Sequence, residues 1–202
     1  MQVALDRFSA GAASVLGRAL ERREIEMFGK YILLLQKWQR VHRLVGSVDP
    51  DWVVDNLFLD SLLFLKVVPQ DAITVADLGS GAGFPGIPIK IVRPQTELSL
   101  IEARQRRASF LSAVSRELGL QGVRVLGGRA EDVGLTGLFD VVVMRCAGSV
   151  ERVLRAARGL AAPGGRVIVS GPPTLHRLDQ GEWFEVAGVR PGSIRRFAVY
   201  TP

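Results

Sequence analysis

A glycine-rich turn after a short apolar run is the feature that most constrains this chain. Residues 75–91 read VADLGSGAGFPGIPIKI, with four glycines and two prolines. Glycine has no Cβ, so the backbone can turn sharply there and a ligand can approach it closely. In open α/β sheets such a turn follows a strand at the edge where ligands bind. The segment therefore predicts a strand that ends at Leu78, a ligand-binding turn, and a helix after Pro85.

The rest of the chain alternates short strands with helices. The predicted strands are ITVADL, ELSLIE, GVRVL, FDVVVM and RVIVS, and helices are predicted near 86–93, 104–118 and 149–160. This alternation is typical of a parallel, doubly wound α/β sheet. Pro163-Gly164-Gly165 is predicted to turn into the fifth strand. WFEVAG and RRFAVY flank Pro191-Gly192 and predict an antiparallel hairpin, which gives seven strands in all.

A helical region precedes this pattern. Residues 21–43 carry apolar side chains at helical spacing, and Asp49-Pro50 supplies an N-cap and a first-turn proline for a second helix that runs to about Lys66. We therefore expect residues 1–70 to form an N-terminal helical annex. Residues 71–202 are expected to form the ligand-binding core, and a chain of 202 residues is compatible with one compact unit.

Composition limits the location and the type of site. No apolar stretch reaches the roughly 20 residues of a membrane span, and the N-terminus does not resemble a secretory signal, so a cytoplasmic protein without membrane contact is expected. The single cysteine, Cys146, excludes an internal disulfide and a cysteine-cluster zinc site, and the two histidines form no metal motif. No exposed apolar pattern indicates association, so a monomer is expected.

The chain is strongly basic, with a net charge of +6 and a pI of about 10.2. All but four of its 26 basic residues are arginines, which bind phosphates bidentately and stack on bases. This favours RNA as a partner. A GC-rich genome would produce the same arginine bias, so the charge alone does not show that the partner is RNA.

The glycine turn is compatible with two nucleotide cofactors. Gly81 to Gly86 match the G-x-G-x-x-G pattern of NAD-binding proteins, but Asp77 just before the turn would repel a pyrophosphate. The same carboxylate would attract the ammonium group of S-adenosylmethionine (SAM), which is therefore favoured. Glu102 ends the second strand about 20 residues after the turn, where an acid binds the ribose hydroxyls of either cofactor. The alternative is that both are solvated acids at strand ends.

Two further segments follow strands three and four. Arg129-Ala130-Glu131-Asp132 lies where SAM enzymes commonly contact adenine. The alternative is an ordinary helix N-terminus, where acidic residues are also common. Arg145 follows the fourth strand, where methyl transfer usually occurs. Cys146 lies near the position of the nucleophile in pyrimidine-C5 methyltransferases, but it is more simply a buried apolar residue.

Several motifs together resemble the RsmG (GidB) family of bacterial methyltransferases. These are DLGSGAGFPGIPI, IEARQRRASFL…SRELGL, RAE, FDVVVMR and LAAPGGRVIV, between about Trp38 and Ser170. The resemblance implies a class I SAM-dependent methyltransferase fold, Rossmann-like, that methylates a guanine N7 in small-subunit (16S) ribosomal RNA. It implies SAM contacts at Gly79, Phe84, Ala130, Glu131 and Arg145. With the residues inferred from spacing, the expected cofactor site is Asp77, Gly79, Gly81, Gly83, Phe84, Glu102, Ala130, Glu131 and Arg145.

Methylation of guanine N7 requires little acid–base chemistry, because N7 has an in-plane lone pair and no proton. Alignment of the purine with the methyl group can carry the reaction, so neither a general base nor a metal is expected. Arg145 is expected to position the base or the methionine carboxylate of SAM, and Phe84 to provide an aromatic wall or simply to pack in the core.

The RNA surface is expected to use arginines of the annex and of the helix after strand two. The predicted contacts are Arg40, Arg43, Arg104, Arg106 and Arg107, with Arg22 and Arg23 as further candidates. A solvated helical face is the alternative. The chain departs from the family mainly on the substrate side, with Arg43-Leu44-Val45 in place of Asn-Leu-Thr. A non-catalytic RNA-binding protein, or a methyltransferase with another substrate, therefore remains an alternative function.

Overall fold

The computed structural model describes residues 1–145, 150–171, 178 and 180–201. Three helical segments form the N-terminal region. Helix α1 spans Gln2–Leu16 and helix α2 spans Arg22–Gln39. Segment α3 is a continuous run of four pieces: an α-helical turn (Pro50–Val53), a π-helical turn (Val54–Leu59), a second α-helical turn (Asp60–Leu62) and a 3₁₀ turn (Leu63–Lys66).

The remaining elements alternate as the sequence predicts. The strands are β1 (Thr74–Leu78), β2 (Glu97–Glu102), β3 (Val123–Gly127), β4 (Phe139–Met144), β5 (Ala161–Ser170), β6 (Glu182–Ala187) and β7 (Ile194–Tyr200). The helices between them are α4 (Gly86–Val92), α5 (Gln105–Glu117) and α6 (Val150–Leu160).

All seven strands belong to one sheet in the order β3-β2-β1-β4-β5-β7-β6. The pairs from β3 to β5 are parallel, whereas β7 is antiparallel to both β5 and β6. The predicted fold class, a doubly wound α/β sheet with a C-terminal antiparallel hairpin, is confirmed. Because β1 is flanked by β2 and β4, the carboxyl ends of these three strands meet at one edge of the sheet.

The start of β5 differs from the prediction. Strand pairing begins at Ala161 rather than after the Pro163-Gly164-Gly165 turn. Phe139 pairs with Ala161, but Val141 pairs with Arg166, so the three turn residues lie in a bulge of β5. A Cβ on Gly165 would lie 2.8 Å from the carbonyl oxygen of Phe139, which explains why a glycine occupies that position.

The ends of the annex helices follow local signals. Asp49 caps α3, because its Oδ1 accepts a hydrogen bond of 2.9 Å from the backbone N–H of Trp52. Helix α2 begins with a capping box between Glu21 and Glu24 and ends at Gln39, four residues before the predicted end. Helix α1 lies within the predicted helical annex, although no helix is predicted there individually. Its glycine Gly17 ends the helix with φ of +71°.

A buried aromatic cluster holds the three annex segments together. Phe8 of α1, Phe28 of α2 and Phe58 of α3 are fully buried, with ring centroids 4.5 to 5.5 Å apart. This cluster is continuous with the core on one face of the sheet, and a second core lies on the other face, beneath α6. The boundary at residue 70 between annex and core stays a prediction.

No helix within the described part of the chain is long and apolar enough to cross a membrane. Within that same part, no three residues among His, Cys, Asp and Glu are grouped in a way that could hold a metal ion.

Candidate cofactor and nucleic-acid site

The glycine turn lies at the carboxyl end of β1, as predicted. Gly79, Gly81 and Gly83 have φ values of +73°, +60° and +93°, a region that residues with a side chain rarely adopt. The carbonyl oxygen of Ser80 accepts hydrogen bonds from the N–H groups of Gly83 and Phe84, at 2.7 and 3.1 Å. A Cβ on Gly79 would have no atom within 4 Å. The turn is thus fixed internally and open to a ligand on its outer side.

Glu102 connects this turn to the end of β2. Its carboxylate is buried and accepts two hydrogen bonds, from the N–H of Gly81 at 2.9 Å and from the N–H of Arg104 at 2.8 Å. The two loops at the edge of the sheet are therefore held by one acidic side chain. This arrangement differs from that of a solvated acid at a strand end.

Asp77 is fully buried beneath the turn. Its Oδ2 accepts a hydrogen bond of 2.8 Å from the N–H of Gly86, at the start of α4. Its Oδ1 has no hydrogen-bond partner among the residues that the structure describes. Burial raises the pKa of Asp77 to about 7, opposed by the Gly86 hydrogen bond and by the charge of Arg145. A buried carboxylate with a free oxygen is well suited to bind a cationic group.

Arg145 lies next to Asp77 across the sheet. Asp77 pairs with Val143 of β4, and Arg145 follows two residues later. Its Nη2 donates to the carbonyl oxygen of Asn56 at 3.1 Å, and its Nε is 3.6 Å from Oδ2 of Asp60. Nη1 is buried and has no partner among the described residues. Burial lowers the pKa of the guanidinium group, and the charge of Asp60 opposes this effect.

A cavity of about 400 Å³ opens beside Arg145, between α3 and the β6–β7 hairpin. Asp60 lies in its wall and also forms an ion pair with Arg195, whose Nε is 2.8 Å from Asp60 Oδ1. Trp52 and Arg190 line the same cavity. The sequence alone does not indicate these residues, because a contact between positions 60 and 195 has no local signature.

Phe84 points into the annex rather than into open space. Its side chain is 6% exposed, and its ring stacks on that of Tyr31 with centroids 5.2 Å apart and planes 13° apart. The Phe84–Pro85 peptide bond is cis. This placement favours the packing interpretation of Phe84 over that of a free aromatic wall.

Ala130 and Glu131 lie beyond β3, as predicted. Ala130 is buried and Glu131 is exposed. Both line a cavity of about 640 Å³ whose other wall is formed by α6, including Arg155 and Ala156. Among the residues that the structure describes, none lines both this cavity and the one beside Arg145.

The five predicted RNA-binding arginines meet at one end of the molecule. Helices α2 and α5 run antiparallel, because Lys30 forms an ion pair with Glu117 at 3.3 Å and Trp38 packs edge-on against Phe110. The C-terminal end of α2 therefore lies beside the N-terminal end of α5. The arginines at this end are Arg40, Arg43, Arg104 and Arg106, which are exposed, and Arg107, which is partly buried.

This cluster, here called the arginine end, is next to the glycine turn. Nη1 of Arg107 would be 3.7 Å from a Cβ on Gly81. Arg22 and Arg23 are exposed at the opposite end of α2, about 27 Å away along the helix. The structure thus separates them from the other candidates.

Two residues weighed in the sequence lie outside the described residues. These are Cys146 and one of the two histidines, His176. The cysteine-nucleophile alternative therefore stays a prediction. His42 lies at the end of α2, with its ring 5.8 Å from that of Trp38.

The family model described as "GidB: rRNA small subunit methyltransferase G" matches residues 24–171. The chain belongs to this family. A curated GidB-family relative named ribosomal RNA small subunit methyltransferase G, from Nitrosomonas europaea, is 39% identical over 132 residues, which are 65% of this chain and 61% of that protein. A relative of the same name from Caldanaerobacter subterraneus is 36% identical over 172 residues, 83% of this chain and 72% of that protein.

A solved structure supports the fold independently. The O-methyltransferase TomG from Streptomyces achromogenes, determined in complex with SAM, has a TM-score of 0.55 and 19% identity, covering 88% of this chain and 90% of TomG. The GidB-family chain therefore has the class I methyltransferase fold that the sequence resemblance implied.

Proposed function

We propose that this GidB-family chain transfers a methyl group from SAM to guanine N7 of small-subunit ribosomal RNA. One observation of the site carries the proposal. Two side chains of opposite charge, the buried Asp77 and the partly buried Arg145, lie at the ends of neighbouring strands, and each has a buried polar atom without a partner among the described residues. The methionine part of SAM carries an ammonium and a carboxylate, which complement this pair.

The other predicted cofactor residues are assigned from their positions around the turn. Gly79, Gly81 and Gly83 bring the backbone close to the cofactor, and Glu102 at the end of β2 accepts from the ribose hydroxyls. Ala130 and Glu131 contact the adenine, and Phe84 supports the turn from behind by stacking on Tyr31.

The residues of this chain are proposed to act by positioning. When bound, SAM supplies an electrophilic methyl group on a sulfonium. Guanine N7 attacks through its lone pair and loses no proton, so no side chain has to accept one. Arg145, held by Asn56 and Asp60, orients the reacting groups beside the cavity of about 400 Å³, which is large enough for a base.

The arginine end is proposed to bind phosphates of the RNA beside the glycine turn. A triple variant, Arg104→Gln with Arg106→Gln and Arg107→Gln, is expected to weaken RNA binding roughly tenfold or more at low salt. It should also make the dependence of log K on log salt shallower, by about 0.7 to 0.9 for each phosphate that the variant no longer neutralises. Filter binding at several salt concentrations measures both quantities.

The matched control for this triple variant is Arg22→Gln with Arg23→Gln, at the far end of α2. It removes two exposed charges from α2, at the end far from the arginine end, and should leave RNA binding nearly unchanged. Equal affinity of the triple variant and the unaltered protein at low salt would refute the arginine end as an RNA surface.

We further propose that the protein acts as a cytoplasmic monomer without membrane contact, with the annex (1–70) and the core (71–202) as its two parts. The large exposed apolar side chains among the described residues support a monomer, since no single element carries more than two of them. They are Met1, Val3, Leu33, Val41, Ile73, Leu138, Phe184 and Ile194.

The experiment that tests the proposed function is transfer of labelled methyl from SAM to purified ribosomal RNA. Label in small-subunit RNA and not in large-subunit RNA is the expected result. SAM binding without transfer to either RNA would favour a non-catalytic RNA-binding protein or another substrate.

A further inference from the structure

Tyr31 of the annex contacts the backbone of the glycine turn. Its side chain is fully buried, and its hydroxyl donates a hydrogen bond to the carbonyl oxygen of Ala82, at the centre of the turn. Its ring lies between Phe84 of the turn and Phe58 of α3, with centroids 5.2 and 5.5 Å away. One annex side chain thus hydrogen-bonds to a carbonyl group of the turn and stacks on one of its rings.

The fit between Tyr31 and the turn leaves no free space. A Cβ on Gly83 would lie 2.7 Å from the Tyr31 hydroxyl and 2.5 Å from Cδ1 of Ile87, closer than real side chains approach. Because packed contacts of this kind deform little, a displacement of Tyr31 must displace the turn. The turn and this part of α2 therefore move together.

Helix α2 also connects Tyr31 to the arginine end. Arg40 follows the helix at its C-terminus, about 13 Å along the axis from Tyr31. Trp38 on the same helix packs against Phe110 of α5, the helix that contains Arg106 and Arg107 and is preceded by Arg104. A phosphate bound at the arginine end would therefore restrain the helix that contacts the glycine turn.

We propose that Tyr31 is a positioning residue that couples RNA binding at the arginine end to cofactor binding at the glycine turn. This inference rests on the proposed function. RNA tightens cofactor binding by restraining α2, and by thermodynamic reciprocity the cofactor tightens RNA binding by the same factor. The hydroxyl of Tyr31 holds the backbone of the turn directly, since it donates to the carbonyl oxygen of Ala82.

The test is a Tyr31→Phe variant, which keeps the stacked ring and removes only the hydroxyl. The probe is S-adenosylhomocysteine, which has the same amino-acid and adenosine groups as SAM but no transferable methyl. Its Kd is measured by calorimetry with and without small-subunit ribosomal RNA. For the unaltered protein we expect RNA to lower the Kd. For Tyr31→Phe we expect a Kd about fivefold or more higher without RNA, and a ratio of the two Kd values close to one.

Tyr200→Phe serves as the matched control, because it makes the same chemical change at a buried tyrosine of β7, away from the turn. It should keep the ratio of the unaltered protein. Thermal unfolding of both variants detects a general loss of stability, which would not change the ratio of the Kd values at a temperature well below Tm.

An unchanged ratio of the Kd values with and without RNA in Tyr31→Phe, or no effect of RNA in the unaltered protein, would overturn the coupling and leave the proposed function intact. Failure of the unaltered protein to bind the probe at all would contradict the proposed function, and the coupling with it.

Discussion

Replacing Asp77 by Asn is expected to weaken cofactor binding strongly and, at the same time, to stabilise the fold. Binding is lost because the carboxylate is proposed to hold the ammonium of SAM, and the neutral amide offers no charge. The effect on Kd should be about 100-fold or more, the size expected when one member of a buried charge pair is removed. An assay of SAM binding at pH 8, where Asp77 is ionised, measures it.

The stabilisation follows from the sign of the pKa shift. Burial raises the pKa of Asp77 to about 7 from its ordinary value of 3.8, so folding opposes its ionisation. The stability associated with protonated Asp77 is fully present below about pH 4 and is lost as the pH rises through about 7. At pH 8, Asp77→Asn removes the buried charge while its amide oxygen still accepts from Gly86. We expect the free energy of unfolding to rise by up to about 4 kcal/mol, the full linkage energy of this pKa shift.

The ionisation of Asp77 should also make the SAM affinity of the unaltered protein depend on pH. Because only the ionised carboxylate attracts the ammonium group, the affinity for SAM should fall as the pH decreases through about 7. Calorimetric titrations between about pH 6 and 8 test this prediction across the ionisation of one buried carboxyl. Equal SAM affinity of Asp77→Asn and the unaltered protein at pH 8 would show that Asp77 has only a structural role.

Replacing Arg145 by Gln is the second change with a large expected effect. In the proposed methyl transfer, this guanidinium orients the methionine carboxylate of SAM or the reacting base. Its loss should lower kcat/KM for methyl transfer by about 100-fold or more, the usual result of removing one well-placed charged donor. The folded state should tolerate the change, since Asp60 keeps its ion pair with Arg195.

The matched control for Arg145→Gln is Arg196→Gln. Arg196 also donates to a carboxylate, that of Glu185 at 2.7 Å, but it lies on the C-terminal hairpin outside the proposed site. The control removes one arginine and one ion pair and should keep nearly full activity. If both variants lost activity equally, the loss in Arg145→Gln would come from a general change in charge or folding. It would then not come from the place of Arg145 in the site.

Much of the fold could be predicted from the sequence because its signals are local. The glycine turn after Leu78 and the alternation of β-branched runs with helices depend on neighbouring residues, and they predicted the seven strands correctly. The boundary of β5 was wrong by several residues. There the strand starts earlier because Ala161 pairs with Phe139 of β4, on the far side of the bulge at Pro163-Gly164-Gly165, and no local pattern predicts that pair.

The candidate site could be predicted only in part, for the same reason. Asp77, Glu102 and Arg145 were identified because they end strands or follow them, and strand ends meet at one edge of a parallel sheet. Asp60 and Tyr31 were missed, because their roles depend on contacts with residues far away in the chain, such as Arg195 and Ala82. The separation of Arg22 and Arg23 from the other arginines likewise depends on how α2 packs against α5.

The most direct test of the central claim is to identify the base that receives the methyl group. Small-subunit ribosomal RNA and assembled small-subunit particles are incubated with the protein and SAM carrying a deuterated methyl, and the RNA is digested and analysed by mass spectrometry. We expect one heavy methyl group on a guanine, at N7, and none with the Asp77→Asn variant. A heavy methyl on a different base, or none on either substrate despite SAM binding, would contradict the proposed function.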